Sequence, residues 1–110
     1  MTTPEKAKGS QWERDVAAYF QSRGYNVERR YGAGLREDKG DLIGLPKFAL
    51  ECKNAKQIKL SEFLDEAVLE AKHAKVPYGA AVIKRRQKNV KEAYVVMTLE
   101  QFVDFYGSIK

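Results

Sequence analysis

Residues 39–53 read KGDLIGLPKFALECK, and the fold turns on how this stretch is parsed. Its second half, FALECK, is an apolar run that takes on charge only at Glu51 and Lys53. Side chains of a strand alternate between faces, so Ala49, Glu51 and Lys53 share one face and Phe48, Leu50 and Cys52 the other. The second face belongs in a core. The first carries a carboxylate and an ammonium group roughly 7 Å apart along the strand, from the rise per residue. DLIGL (41–45) makes a shorter strand opened by Asp41, and a turn at Pro46–Lys47 joins the two as a hairpin-like pair. That turn can bring Asp41 alongside the end of FALECK. Charges set among apolar residues are costly unless they are paired or bind a metal.

Working outward, Trp12, Val16, Tyr19 and Phe20 recur at three- and four-residue spacing. They predict a first helix that starts at Ser10, with Ser10 and Glu13 as a capping box, and stops at Gly24. YNVERRY (25–31) reads as the first strand and GAGLREDKG (32–40) as a glycine-rich loop. Beyond the connector NAKQIK, a second helix over 61–74 carries the stripe Phe63, Leu64, Ala67, Val68 and Ala71. Pro77 punctuates it. YGAAVIK and AYVVM are the fourth and fifth strands, separated by KRRQKNVKE. A last helix is capped by Thr98 and Gln101 and anchored in the core by Phe102, Phe105 and Tyr106. The order α-β-β-β-α-β-β-α predicts an α/β (α+β) domain, a mixed five-stranded sheet flanked by helices on both sides. Residues 1–9 are expected as a flexible basic tail, and 10–110 as the single domain that 110 residues accommodate.

Twenty Lys and Arg against fifteen Asp and Glu leave a net charge of +5, which favours a polyanionic partner. Nucleic acid comes ahead of an anionic membrane surface. No apolar run approaches the ~18 residues of a membrane span, and the first residues lack a signal peptide's apolar centre, so a cytoplasmic protein is expected. One cysteine excludes an internal disulfide or a multi-cysteine zinc site, and one histidine argues against a Ser-His-Asp triad.

Two carboxylates converging beside an ammonium group can do specific chemistry. Asp41 and Glu51 would hold a hard ion such as Mg²⁺ through oxygen, leaving positions for water and a phosphate oxygen. Such an ion acidifies water and neutralises phosphoryl charge. Lys53 would orient the water or stabilise charge in the transition state. The plainer alternative is a surface E-x-K ion pair. Glu13 either caps its helix or, lying beside the Trp12–Val16–Phe20 stripe, faces the sheet. Asp38 competes with Asp41, which is preferred because it directly enters the apolar strand. Arg29, Arg30, Arg36, Lys56 and Lys59 place charge near the flanking loops. Lys84, Arg85, Arg86, Lys88 and Lys91 form a run without an acid. Such residues could clamp phosphates, or the run 84–91 could be a solvated hairpin tip kept basic for solubility; a nuclease-like site nearby favours DNA contact for all ten. Cys52 and Trp12 read as core residues, His73 as a helix C-terminal residue, and Tyr31 as a strand-end core residue rather than a base-stacking one.

The opening KGSQWERDVAAYFQSRGYNVER, the glycine-rich loop, KGDLIGL and FALECK together resemble the PD-(D/E)xK nuclease superfamily. Within it they resemble the archaeal-type and phage-encoded Holliday-junction resolvases. The likeness covers the first half of the chain; the second half matches in the order of its elements. It implies a restriction-endonuclease-like core, Asp41 and Glu51 as metal ligands, Lys53 as catalytic lysine and Glu13 as a further metal-linked acid. It also implies Mg²⁺ as cofactor, with Mn²⁺ able to substitute. The expected activity is that of a homodimeric endonuclease hydrolysing four-way or other branched double-stranded DNA to 5′-phosphate and 3′-hydroxyl ends, in recombination or repair. A phage-encoded form would act in the host cytoplasm. There are two departures from the family: Gly40 replaces the motif's proline, and Gly32, Ala33 and Gly34 stand where a loop serine is typical. The alternatives are a related nuclease acting on linear, nicked or flapped DNA and a non-catalytic basic DNA-binding module.

Overall fold

The computed structural model describes residues 4–30 and 40–109. Tyr31, the loop serine position, Arg36 and Asp38 lie outside them. The elements are α1 (Pro4–Ser22), β1 (Glu28–Arg29), β2 (Leu42–Ile43), β3 (Phe48–Lys53), α2 (Leu60–Ala74), β4 (Tyr78–Ile83), a 3₁₀ turn (Val90–Glu92), β5 (Tyr94–Val96) and α3 (Leu99–Ser108). Apart from the 3₁₀ turn, this is the order expected from the sequence.

The strands form one sheet in the order β1-β2-β3-β4-β5. β3 and β4 run parallel, in register from Phe48 opposite Tyr78 to Lys53 opposite Ile83, and the other pairs are antiparallel. A parallel pair needs a crossover, which α2 supplies. The alternation read from FALECK sorts the two faces. Leu50 and Cys52 join Ala80 and Val82 against Trp12, Val16 and Ala17 of α1. On the opposite face, Ala81 and Ile83 pack against Phe63 and Ala67 of α2. The Trp12 indole Nε1–H donates to Val82 O at 3.0 Å, which satisfies the one polar atom of a buried anchor. The result is an α+β, restriction-endonuclease-like core.

α2 crosses β4 at Gly79, where an added Cβ would sit 2.2 Å from Ala67 O. Both partners are backbone, so neither can turn aside. Gly79→Ala is expected to destabilise the protein by roughly 2–4 kcal/mol, read as a lower midpoint in urea unfolding.

Three expectations need correction. α1 begins at Pro4, so residues 4–9, expected as a tail, are helical, and Ser10 is an interior residue rather than a cap. Of the first strand expected over 25–31, the described residues 25–30 contribute only Glu28–Arg29, because the partner β2 offers only two residues to pair with. α3 contributes one anchor instead of three. Phe105 packs edge-on to Phe48 and Tyr78, while Phe102 and Tyr106 are half exposed. The helix is held by its Thr98 cap and by Gln101, whose Oε1 accepts the Gly79 N–H at 2.9 Å.

Candidate active site

Gly40 delivers Asp41 to the sheet. Its φ of +101° lies in the region open to glycine, and its Cα lies against the Leu50 backbone. A proline, fixed near φ −65°, could not make this approach, so the departure from the family motif is a different route into the same position. Asp41 is then clamped at both backbone groups: its N–H donates to Leu50 O and its carbonyl accepts from Arg30 N–H, each at 2.8 Å. Its Oδ2 accepts the Cys52 N–H at 2.7 Å. The carboxylate is thereby held beside β3 between Glu51 and Lys53.

Glu51 projects toward α2 and is almost fully buried. Its carboxyl group is in hydrogen-bonding contact with Asp41 on one side and Glu70 on the other. Burial is the main reason its pKa is pushed up to about 8; Glu70 raises it further, while the contact with Asp41 and the charge of Lys53 pull it down. Acid groups this close share a proton unless a cation lies between them.

Lys53 reaches the same side. Its Nζ is 2.6 Å from Glu66 Oε2 and 5.2 Å from the centre of the Phe63 ring. Burial opposes its charge, but the hydrogen bond to Glu66 and the charges of Glu51, Glu66 and Asp41 outweigh it and raise its pKa. Lys53 is therefore a cation at neutral pH and suited to stabilising negative charge, not to accepting a proton.

Glu13 faces the sheet. Arg29 Nε donates to its Oε1 at 3.1 Å, and both side chains are about one-fifth exposed. Burial and the nearby charge of Asp41 raise the Glu13 pKa, against the opposing effect of Arg29. Arg29, expected as a phosphate contact, is thus engaged inward with an acid of the site.

Sequence reasoning missed Glu66 and Glu70. Both lie on α2 at three- and four-residue steps from Phe63 and Ala67, Glu70 buried within the stripe and Glu66 half-exposed at its edge. A carboxylate at a core position was the signal available. Cys52 is buried, its thiol pKa is raised by burial, and it plays the expected core role. Of the outer cations, Lys56, Lys84 and Arg86 line one pocket. Lys59 lies 4.0 Å from Glu62, Arg85 stacks on the Tyr94 ring at 5.1 Å, and Lys88 and Lys91 are exposed on the loop before β5.

A half-buried Asp at the entry to β2, a buried Glu on the adjacent β3, an E-x-K lysine and an acid from the first helix thus converge at one place. A model of the archaeal Holliday junction resolvase family matches residues 4–104, spanning every one of these side chains. The chain belongs to that family. Among curated proteins and solved structures, no match was found. Membership in the archaeal Holliday junction resolvases carries with it nuclease activity on Holliday junctions, in DNA recombination and repair. None of the described helices is long and apolar enough to cross a membrane.

Whether the site suits a divalent ion can be judged from its donors. Among the described residues, no group of three or more His, Cys, Asp or Glu is arranged to hold a metal. Mg²⁺ does not demand one, since it is usually held by one or two carboxylates and completes its shell with water and substrate phosphate. Asp41 and Glu51, hard oxygen donors already in contact, match that requirement.

Proposed function

We propose that the protein is a Mg²⁺-dependent, structure-specific endodeoxyribonuclease that hydrolyses one phosphodiester in each of two paired strands of a branched DNA. The contact between Asp41 and Glu51, with the cationic Lys53 beside them, carries this reading. Asp41 and Glu51 would hold the ion, and Mn²⁺ would substitute. Bound there, it would neutralise phosphate charge and acidify a water molecule. The chain's own groups do the rest. The Cys52 amide fixes the Asp41 carboxylate, and the Lys53 ammonium stabilises the charge that gathers on the phosphoryl oxygens. Glu66 holds that ammonium in place, and Glu13, oriented by Arg29, borders the site from α1.

The test pairs a labelled four-way junction with a matched linear duplex, with Mg²⁺ and with chelator. Symmetric, metal-dependent nicks on the junction are expected. Equal cutting of the duplex would replace the branched substrate with a linear one, and binding without cutting would reduce the protein to a DNA-binding module.

Paired incision calls for a symmetric dimer, and α3 has a surface for one. Leu99, Phe102, Val103, Tyr106 and Ile109 recur at three- and four-residue steps, and each is more than half exposed. An apolar stripe of this kind is unusual on a monomer, and the same face on two copies would meet about a two-fold axis. Phe102→Asp is expected to convert the dimer to a monomer of unchanged fold in sedimentation velocity. A wild-type chain that sediments as a monomer at tens of micromolar would overturn the assignment.

A further inference from the structure

We infer that the pocket beyond the carboxyl ends of β3 and β4 holds one backbone phosphodiester of the DNA, separate from the one that is cut. The identity of this ligand rests on the nuclease reading above; the pocket itself does not. It is an open pocket of about 360 Å³ lined by Lys8, Asn54, Lys56, Lys84, Arg86 and Gln87. Its four cations come from three separate parts of the chain, and among the described residues no ion pair is made by any of them. Like charges gathered around one space repel one another unless an anion sits between them. The two amide side chains add neutral donors to the same rim.

Its position follows from the strand register. β3 ends at Lys53 and β4 at Ile83, directly opposite each other, and Lys84 N–H donates to Lys53 O at 2.9 Å. Asn54 and Lys84 are therefore the first residues past the strand ends, one step beyond the proposed catalytic lysine. The crevice outside the carboxyl ends of parallel strands is a recurrent place for ligands in open sheets. Lys84 is also supported from beneath, its Nζ lying 5.7 Å from the centre of the buried Trp12 ring. Arg86 and Gln87 form the corner of a turn closed by Lys88 N–H to Arg85 O, with Gln87 at φ 60°, a left-handed conformation uncommon outside glycine. Such strain collects where structure serves binding. A phosphodiester has one charge and two free oxygens, and it can take hydrogen bonds from several of these donors at once. With one phosphate in this pocket and another beside Lys53, the strand is gripped at two points, which sets which bond meets the carboxylates.

The test measures binding, not cutting. A fluorescent four-way junction is titrated with wild-type protein and with Lys8→Ala/Arg86→Ala, in chelator, over a series of salt concentrations. Lys72→Ala/Lys75→Gly, which removes two exposed cations from the far end of α2, serves as the charge-matched control. Losing one phosphate contact should flatten the plot of log affinity against log salt by about 1 for the pocket variant, with the control unchanged. An unchanged slope for the pocket variant, or an equal fall in the control, would overturn the pocket while leaving the nuclease reading intact. If wild-type protein binds no DNA at all, both readings fall.

Discussion

Asp41→Asn should lower junction cutting by about three orders of magnitude or more, while junction binding in chelator stays within a few-fold of wild type. An asparagine Oδ1 still accepts the Cys52 N–H, and the backbone clamps to Leu50 and Arg30 do not involve the side chain. What disappears is one of two charged donors. A loss of several kcal/mol of charge stabilisation at the phosphate corresponds to that fall in rate. Because the fold and the basic surface are untouched, affinity for DNA is the internal control. Activity within ten-fold of wild type would remove Asp41 from the site. Lost binding would show instead that the substitution damages more than the chemistry.

The second large effect concerns stability. Glu51→Gln is expected to abolish cutting and, in chelator at pH 8, to make the protein more stable. Glu51 ionises at about 8 when folded, against an ordinary carboxylate value of 4.5, because it is buried among other acids. The native state therefore binds more protons than the unfolded chain between these values. Stability is greatest below about pH 4.5 for this group and declines as pH rises toward 8. Glutamine is neutral throughout and does not incur that loss. The variant's midpoint should gain on the order of 10 °C over wild type at pH 8 without metal, and the gap should close toward pH 5. Mg²⁺ should raise the wild-type midpoint at pH 8 and leave the variant nearly unchanged. A wild-type midpoint that does not fall between pH 5 and pH 8 in chelator would contradict the buried, proton-sharing geometry. The active residue is thus a source of instability in the metal-free protein, a recurrent feature of functional sites.

What could be read from the sequence was whatever a short period encodes. The alternation in FALECK correctly sorted Leu50 and Cys52 from Glu51 and Lys53, since a strand's faces follow from spacing alone. The element order followed from the same patterns. Glu66 was hidden because a half-exposed acid at the edge of the stripe looks like a solvent-facing position until Lys53 is seen opposite it, and Glu70 because α2 is marked out by its apolar residues alone. The role of Glu13 was undecidable from local pattern. Ser10 and Glu13 make a plausible cap only if the helix starts there, and its continuation back to Pro4 leaves Glu13 to Arg29, sixteen residues away. Phe102 and Tyr106 misled for a different reason. An amphipathic stripe says that a face is apolar, but not whether the chain's own sheet or something else covers it.

One arrangement changes how the net charge should be understood. Among the described residues, five acids, Glu13, Asp41, Glu51, Glu66 and Glu70, lie in and around the site, with Arg14, Arg29 and Lys53 as the basic groups that act on them. A surplus of five positive charges therefore understates the field a polyanion meets on approach, because part of the balancing negative charge is drawn into the site and partly neutralised by shared protons. At long range DNA is drawn in by the basic exterior, and only at contact does it find the acids. Association is then fast at low ionic strength and slows steeply as salt is added, so the same sequestration that builds the site also governs how quickly it is found.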